Sequence, residues 1–416
     1  MTSEPANPKS RRRWLQFSLR TFFVLLTVAG VWLGWTVHRA NEQRKAVAWV
    51  REMGGTVRYD YEVDKRGYPI RGAEPTGPKW LVELLGVDYF EEVNEVNISE
   101  YSEVSDLTPL ARLRSLHTLS IQSPKLRDLT PLAELKDLKE LYLALTPVSD
   151  LTPLAKLTSL QQLSVEQTQV SDLTHVAGLK NLEYLYFAYT QVSDLTPLAK
   201  LTSLQQLSLD GTQVSDLTPL ANLPDLQGLT LGGTQVSDLT PLANLTRLRV
   251  INLSATQVSD LAPLANLTSL QELSLYKMPI RDLTPLANLT KLYSIGLGQT
   301  QVSDLTPLVR LTSLEIINLD NTLASDLTPL SKMTSLKQLW LENTQVSNLT
   351  PLAELTSLQE LRLENTQVND LAPLVKLTSL ETLYLDGTLV SEEQVEELRK
   401  ALPNCLIYWS PPDPSP

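Results

Sequence analysis

Three histidines, one cysteine and a ladder of aspartates are the residues of this 416-residue chain with the most direct access to chemistry. A metal centre needs His, Cys or carboxylate ligands brought together at characteristic spacings, and nucleophilic catalysis needs a hydroxyl or thiol beside a base. His38, His117 and His175 lie in different elements and form no such set. His175 stands where the related positions hold Pro153 and Pro197, so it reads as a surface turn residue. Gly228, Gly232, Gly233, Gly296 and Gly298 do not make a nucleotide fingerprint, and no nucleophile elbow or phosphate loop is present.

The aspartates are more regular. Asp106, Asp128, Asp150, Asp172, Asp194, Asp216, Asp238, Asp260, Asp282, Asp304, Asp326 and Asp370 recur at multiples of 22 residues, with Asn348 filling the remaining place. Stacked about 4.8 Å apart, they would form a carboxylate strip of the kind calcium uses. Repulsion at that spacing in water is only about 0.9 kcal/mol per neighbouring pair. A hydrogen bond from a turn N–H two residues on offsets it. Local turn capping is therefore the expected role, with no metal and no cofactor.

The ladder belongs to a 22-residue unit, seen in Ser215 to Val236, that is copied end to end without insertion or deletion. Such a period, with L-x-x-L-x-L at Leu204, Leu207 and Leu209, is the signature of a leucine-rich repeat. Leu207 and Leu209 flank Ser208 with strand alternation, so the leucines point inward and the serine outward. Leu217, Leu220 and Leu223 recur every third residue, which suits a tight helical turn on the opposite wall, with Thr218 as its cap and Pro219 at its first position. One unit buries about seven Leu or Val side chains, too few to offset ordering about 22 residues, so only stacking makes it stable.

The S-D-L-T-P-L-A-N-L-T-S-L-Q-x-L-x-L unit resembles the internalin-like leucine-rich repeats of bacterial surface proteins, over roughly residues 93 to 409. The resemblance implies an α/β solenoid with a curved parallel sheet on the concave face and short 3-10 or helical turns on the convex face. The family usually places Asn where this chain has Thr146, Thr168, Thr190, Thr212, Thr234, Thr256, Thr300, Thr322, Thr344, Thr366 and Thr388, with Pro124 and Met278 breaking the series. These hydroxyls are expected to bond the neighbouring turn.

The outward strand residues line the concave face: Ser120, Tyr142, Ser164, Tyr186, Ser208, Thr230, Asn252, Ser274, Gly296, Asn318, Trp340, Arg362 and Tyr384. The middle is small and polar, whereas Trp340, Arg362 and Tyr384 are consecutive and of the types enriched in binding hot spots. Glu342, Glu360, Glu364 and Asp386 flank them and favour a basic or hydrogen-bond-donating protein ligand. Tyr142, Tyr184, Tyr186 and Tyr189 form a second, weaker candidate. The competing reading is that the aromatic rings and Arg362 only stiffen the sheet through cation–π contact.

The elements around the repeats set the location. Residues 1 to 45 carry eight basic side chains against two acidic ones, while the whole chain is at −12. The remainder is strongly acidic, which argues against nucleic acid as a ligand. Residues 1–20 read as a basic cytoplasmic tail, polar over its first 13 residues. Residues 21–38 have no Lys, Arg, Asp or Glu and span roughly 27 Å as a helix, enough to cross a bilayer. The basic flank places the N-terminus inside and the repeats outside as a single-pass protein of the inner membrane. The alternative is secretion after signal cleavage, although Val37-His38-Arg39-Ala40 lacks the small residues a cleavage site needs.

Ala46, Trp49, Val50 and Met53 then suggest a separate amphipathic helix, a stalk ended by Gly54-Gly55, within a juxtamembrane region over residues 39–78. Residues 79–92 are expected to cap the first repeat, with Trp80 to Phe90 covering its open end. Repeats fill residues 93–390, and one extra residue precedes Val104. Ser391 and Gln394 form a capping box for a helix to Ala401 in a C-terminal cap, residues 391–409, before a tail at 410–416. There Leu402, Cys405 and Ile407 keep the 22-residue register, making Cys405 an inert core thiol. The whole reads as a membrane-anchored binding solenoid without enzymatic activity; the alternative is an envelope spacer.

Overall fold

Alternation of buried leucine with half-exposed polar residue makes each repeat after the irregular first one contribute one three- or four-residue strand, and the strands stack in chain order. The computed structural model describes residues 19–64, 67–98 and 103–411. The polar tail expected over residues 1–13 lies outside them, as do most of residues 410–416. One sheet of sixteen strands runs from β1 (Thr56–Tyr59) through β2 (Val93–Ile98) and β3 (Thr118–Ile121) to β16 (Leu406–Tyr408). Only the β1–β2 pairing is antiparallel; every later pairing is parallel. This is the expected α/β leucine-rich-repeat solenoid, with short 3-10 turns such as Thr218–Leu220 on the other wall.

Each unit closes its core as the spacing requires. Leu217, Leu220, Leu223, Leu226, Leu229, Leu231 and Val236 are all buried to within 1% of complete. The aspartates cap: Asp216 Oδ1 accepts the Thr218 N–H at 2.8 Å, and the same bond recurs at all twelve ladder positions, with Asn348 Oδ1 accepting from Thr350 at 3.0 Å. Asp216, not Thr218, is therefore the cap of the turn. The threonine ladder differs from expectation as well. Its hydroxyls are buried and donate within their own repeat, to the carbonyl three residues back, at 2.6 Å for Thr212 and Leu209. A hydroxyl is too short to span the strand separation, so the side chain pins its own turn.

The ladder carries a pH dependence whose sign follows from its bonds. In ten of the aspartates, Asp216 and Asp238 among them, the hydroxyl and then the N–H of the following threonine hold the carboxyl below its ordinary value of 3.8. A lowered folded-state value means stability that is present above the unfolded value and lost as pH falls through the folded one. Thermal midpoints should therefore drop below about pH 4. Asparagine at Asp194, Asp216, Asp238, Asp282 and Asp304 should flatten that drop; an undiminished drop would exclude the ladder as its source.

The two ends depart most from the repeat. Helix α1 runs unbroken over Leu19–Glu52, so there is no separate stalk helix. Its first half is exposed, but Ala40, Gln43, Ala46, Val47 and Val50 are buried against the first repeat. Gln43 explains the continuity: its amide donates to the Glu91 carbonyl at 2.8 Å and accepts from the Val93 N–H at 3.3 Å. Arg39 pairs with Glu92 and Arg44 with Asp88. The end of α1 and β1 thus cover the open end, whereas of the stretch Trp80 to Phe90 only Val87 joins the core. Helix α2 (Lys79–Leu85) buries no residue. The extra residue of the first repeat is present, since Val96 pairs with Leu119.

At the other end Ser391 Oγ accepts the Gln394 N–H and Gln394 Oε1 accepts the Ser391 N–H, completing the capping box of α3 (Glu392–Ala401). This helix replaces a 3-10 turn and shifts the register: Leu383 pairs with Ile407, a step of 24. Cys405 consequently leaves the core leucine position and is half-buried; burial still pushes its thiol up to about 11.

Candidate functional site

The shifted register adds a member to the expected patch. On β13 (Gln338–Trp340), β14 (Glu360–Arg362), β15 (Thr382–Tyr384) and β16 the outward residues Trp340, Arg362, Tyr384 and Tyr408 lie in one row. Arg362 is sandwiched: its guanidinium carbon lies 5.0 Å from the Trp340 ring centre and 5.1 Å from that of Tyr384. Tyr384 then stacks on Tyr408 at 4.9 Å with the planes 9° apart. Arg362 Nε also donates to Glu360 Oε1 at 2.7 Å. Sequence reasoning missed Tyr408 because it assumed an unbroken period of 22; the length of α3 was the signal.

Beside this row runs a second one, Asp320, Glu342, Glu364 and Asp386, two residues further along each unit. Burial raises the carboxyls of Glu364 and Asp320 above their ordinary range, with the Glu342 carboxylate adding to both. Asp320 also accepts the Glu342 N–H at 2.8 Å. Trp340 Nε1 and Glu364 Oε2 are buried and make no hydrogen bond among the described residues. A donor and an acceptor are thus left unspent at the edge of the stack, a costly arrangement in a closed fold.

Trp340 has a second neighbour. It forms one wall of a groove of about 560 Å³ over the preceding four repeats, floored by Ser274 and Gly296 and lined by Asn252, Asn318 and Tyr276. That volume falls in the range of ligand clefts. The small polar middle noted in the sequence is therefore a depression beside a bulky row. The tyrosines behave differently. Tyr142 and Tyr186 lie two strands apart with Ser164 between, and Tyr142 donates to Glu140 Oε2 at 3.2 Å. Tyr184 shares a strand with Tyr186, and Tyr189 is turned into solvent over Gly211. No ring stack joins these four among the described residues.

The histidines stay apart. Asn94 contacts the half-buried His117, Thr152 contacts His175, and His38 is exposed on α1. Among the described residues no three His, Cys, Asp or Glu side chains converge as ligands.

Fold and face together define a leucine-rich-repeat solenoid whose sheet presents one exposed face. The family described as Leucine Rich repeats (2 copies) matches residues 180–222, 224–266 and 356–400. An internalin from Listeria monocytogenes superposes with a TM-score of 0.64 at 29% identity, over 76% of this chain and 86% of its own. A leucine-rich-repeat protein from Leptospira interrogans gives 0.69 at 24%, over 74% and 81%. The ectodomain of a receptor kinase from Arabidopsis thaliana, solved with Casparian strip integrity factor 2, gives 0.57 at 18%, over 73% and 39%, a likeness of fold alone. No curated protein sequence matches the chain. The chain is an internalin-like leucine-rich-repeat protein.

Proposed function

We propose that this chain binds a protein ligand on the exposed face of its sheet, with Trp340, Arg362 and Tyr384 as the anchor and the groove beside Trp340 as its continuation. The observation that carries the reading is the juxtaposition of a stacked aromatic row, an adjoining groove and a buried donor and acceptor without partners among the described residues. Glu342, Glu364 and Asp386 give the face a negative edge, so the ligand presents basic or donor groups there. Catalysis has no part in this reading, and no cofactor is required. The test uses the repeat face as bait in affinity capture or proximity labelling, comparing the native chain with the variants argued in the Discussion.

The exposed first half of α1 supports a location. Its best 18-residue window has a mean hydropathy of 1.5 and is not buried at all. Such a surface suits an apolar medium. We therefore place α1 across the inner membrane with the repeats outside. Protease added to intact spheroplasts should digest the repeats and leave a protected N-terminal fragment; protected repeats would reverse the topology. A soluble form lacking residues 1 to 40 would instead identify a cleaved signal.

The spacer reading has one observation in its favour, the mutual satisfaction of Arg362 by Trp340, Tyr384 and Glu360. Such a stack stiffens a sheet with or without a ligand.

A further inference from the structure

Helix α2 carries the largest unexplained apolar exposure outside α1. Trp80 is 67% exposed and Leu84 72% exposed. They are four residues apart, which puts them one above the other on the same helix face. Nothing in the fold needs that face, because the helix reaches the body through its other side and through its C-terminal end. An exposed Trp–Leu pair on a helix that buries no residue is a surface made for something else.

Its place in the fold says what. Immediately after α2 the chain makes a short 3-10 turn, Val87–Tyr89, which packs against α1. The Tyr89 hydroxyl lies 3.5 Å from Thr36 Oγ1, one residue before Val37, the last exposed large apolar residue of α1. Arg44, about 12 Å further along α1, donates to the Leu85 carbonyl at 2.5 Å. Gly86 joins the two attachments, with a φ of 86° and the Arg44 guanidinium where a Cβ would stand. The headgroup layer on each side of a bilayer is about 5–8 Å deep. If α1 spans the membrane to Val37, Tyr89 is inside that layer, and α2 ends four residues before it in the chain. Trp32 and Trp35 on α1 mark the same level, with Arg39 over the Trp35 ring at 5.5 Å.

We propose that α2 is an interfacial membrane contact, in which Trp80 and Leu84 enter the headgroup region of the bilayer that α1 crosses. The inference rests on the transmembrane reading of α1 given above. Its occupant is lipid because the turn that follows α2 is held against α1 at Thr36, where the exposed apolar surface of α1 ends. Charge does not draw it there: Lys79 is paired with Glu74 at 2.9 Å, and Glu83 balances the helix. Neutral phosphatidylcholine should therefore suffice. The consequence is a two-point mount, one helix through the bilayer and a second on its surface. With α1 continuous into the N-terminal cap, the solenoid leaves the membrane at a set angle.

The experiment uses the full chain in phosphatidylcholine vesicles, with Cys405→Ser as background and one spin label at a time on Leu26→Cys, Trp80→Cys, Leu84→Cys or Leu389→Cys. Leu389, 61% exposed near the far end, is the water control. The ratio of relaxation by oxygen to relaxation by a water-soluble nickel chelate should be at least about threefold higher at 80 and 84 than at 389, as for an interfacial helix. Lipid-like relaxation at 26 together with a water-like ratio at 80 and 84 would overturn the interfacial contact and leave the anchor standing. A water-like ratio at 26 would overturn the anchor and the contact with it. A label at 80 or 84 that is shielded from both agents and broadened by the same label on another chain would assign the face to a second copy of the chain, and would equally overturn the lipid contact. An unchanged thermal midpoint in each labelled variant shows that the fold is retained.

Discussion

Leu253→Ala in the middle of the array lowers the unfolding free energy by about 2–5 kcal/mol and separates the melting of the two halves. Leu253 is fully buried, and its N–H donates to the Ser274 carbonyl of the next strand at 2.9 Å. The truncation removes a side chain packed between two repeats and leaves a cavity that a one-dimensional stack cannot refill, because each repeat touches only its neighbours. Cooperative melting passes through every interface, so a weakened central one becomes the place where it stops. Gln257, four residues on and exposed, serves as control. Its replacement by Ala should change stability by less than about 0.5 kcal/mol. Denaturant unfolding followed by calorimetry reads both, and equal effects at the two positions would mean that the inward and outward assignment is wrong.

The inward set was legible because leucine at a fixed spacing has few explanations other than a stacked core. The aspartate caps were legible for a related reason: a short acceptor two residues before a turn N–H has an evident local partner. Other features left no such trace. Twelve successive repeats place one residue at positive φ, among them Gly211, Gly233 and Gly387, but also Leu145, Gln167, Tyr189 and Lys277. The conformation is dictated by the turn, and the stack supplies the roughly 1–2 kcal/mol that a non-glycine residue costs there. Residue type therefore does not reveal the position.

Long-range pairing was equally silent. Arg39 and Arg44 count in the sequence only as two of the eight basic side chains of residues 1 to 45, yet they meet Glu92 and Asp88 some fifty residues later, which makes the end of α1 part of the solenoid. At the candidate site the sequence supplied Trp340, Arg362 and Tyr384 and their shared face. It did not supply Tyr408, which needed the two-residue shift behind α3, or the groove, which exists only because Ser274 and Gly296 are small where Trp340 is large.

Replacing Trp340 and Tyr384 together by Ser should abolish ligand capture while costing only modest stability. The two readings of the patch differ in where the energy goes. If the row is a stiffener, Arg362 is held for the sake of the sheet, and the double change removes two cation–π contacts worth about 0.5–2 kcal/mol each. If the row is an anchor, the same residues supply a hot spot, and losing each costs about 2 kcal/mol or more of binding, roughly thirtyfold in affinity. The geometry favours a ligand in one respect: Trp340 Nε1 and Glu364 Oε2 are unpaired, and a stiffener gains nothing from an unpaired buried donor and acceptor. Arg362→Lys separates the cases further, because lysine keeps the charge beside Glu360 and loses the flat surface that both rings touch. Loss of capture in Trp340→Ser/Tyr384→Ser and in Arg362→Lys, with thermal midpoints within a few degrees of the native chain, assigns the patch to binding. Unchanged capture with a large fall in midpoint assigns it to the sheet, and the search for the ligand would then move to the groove over Ser274 and Gly296.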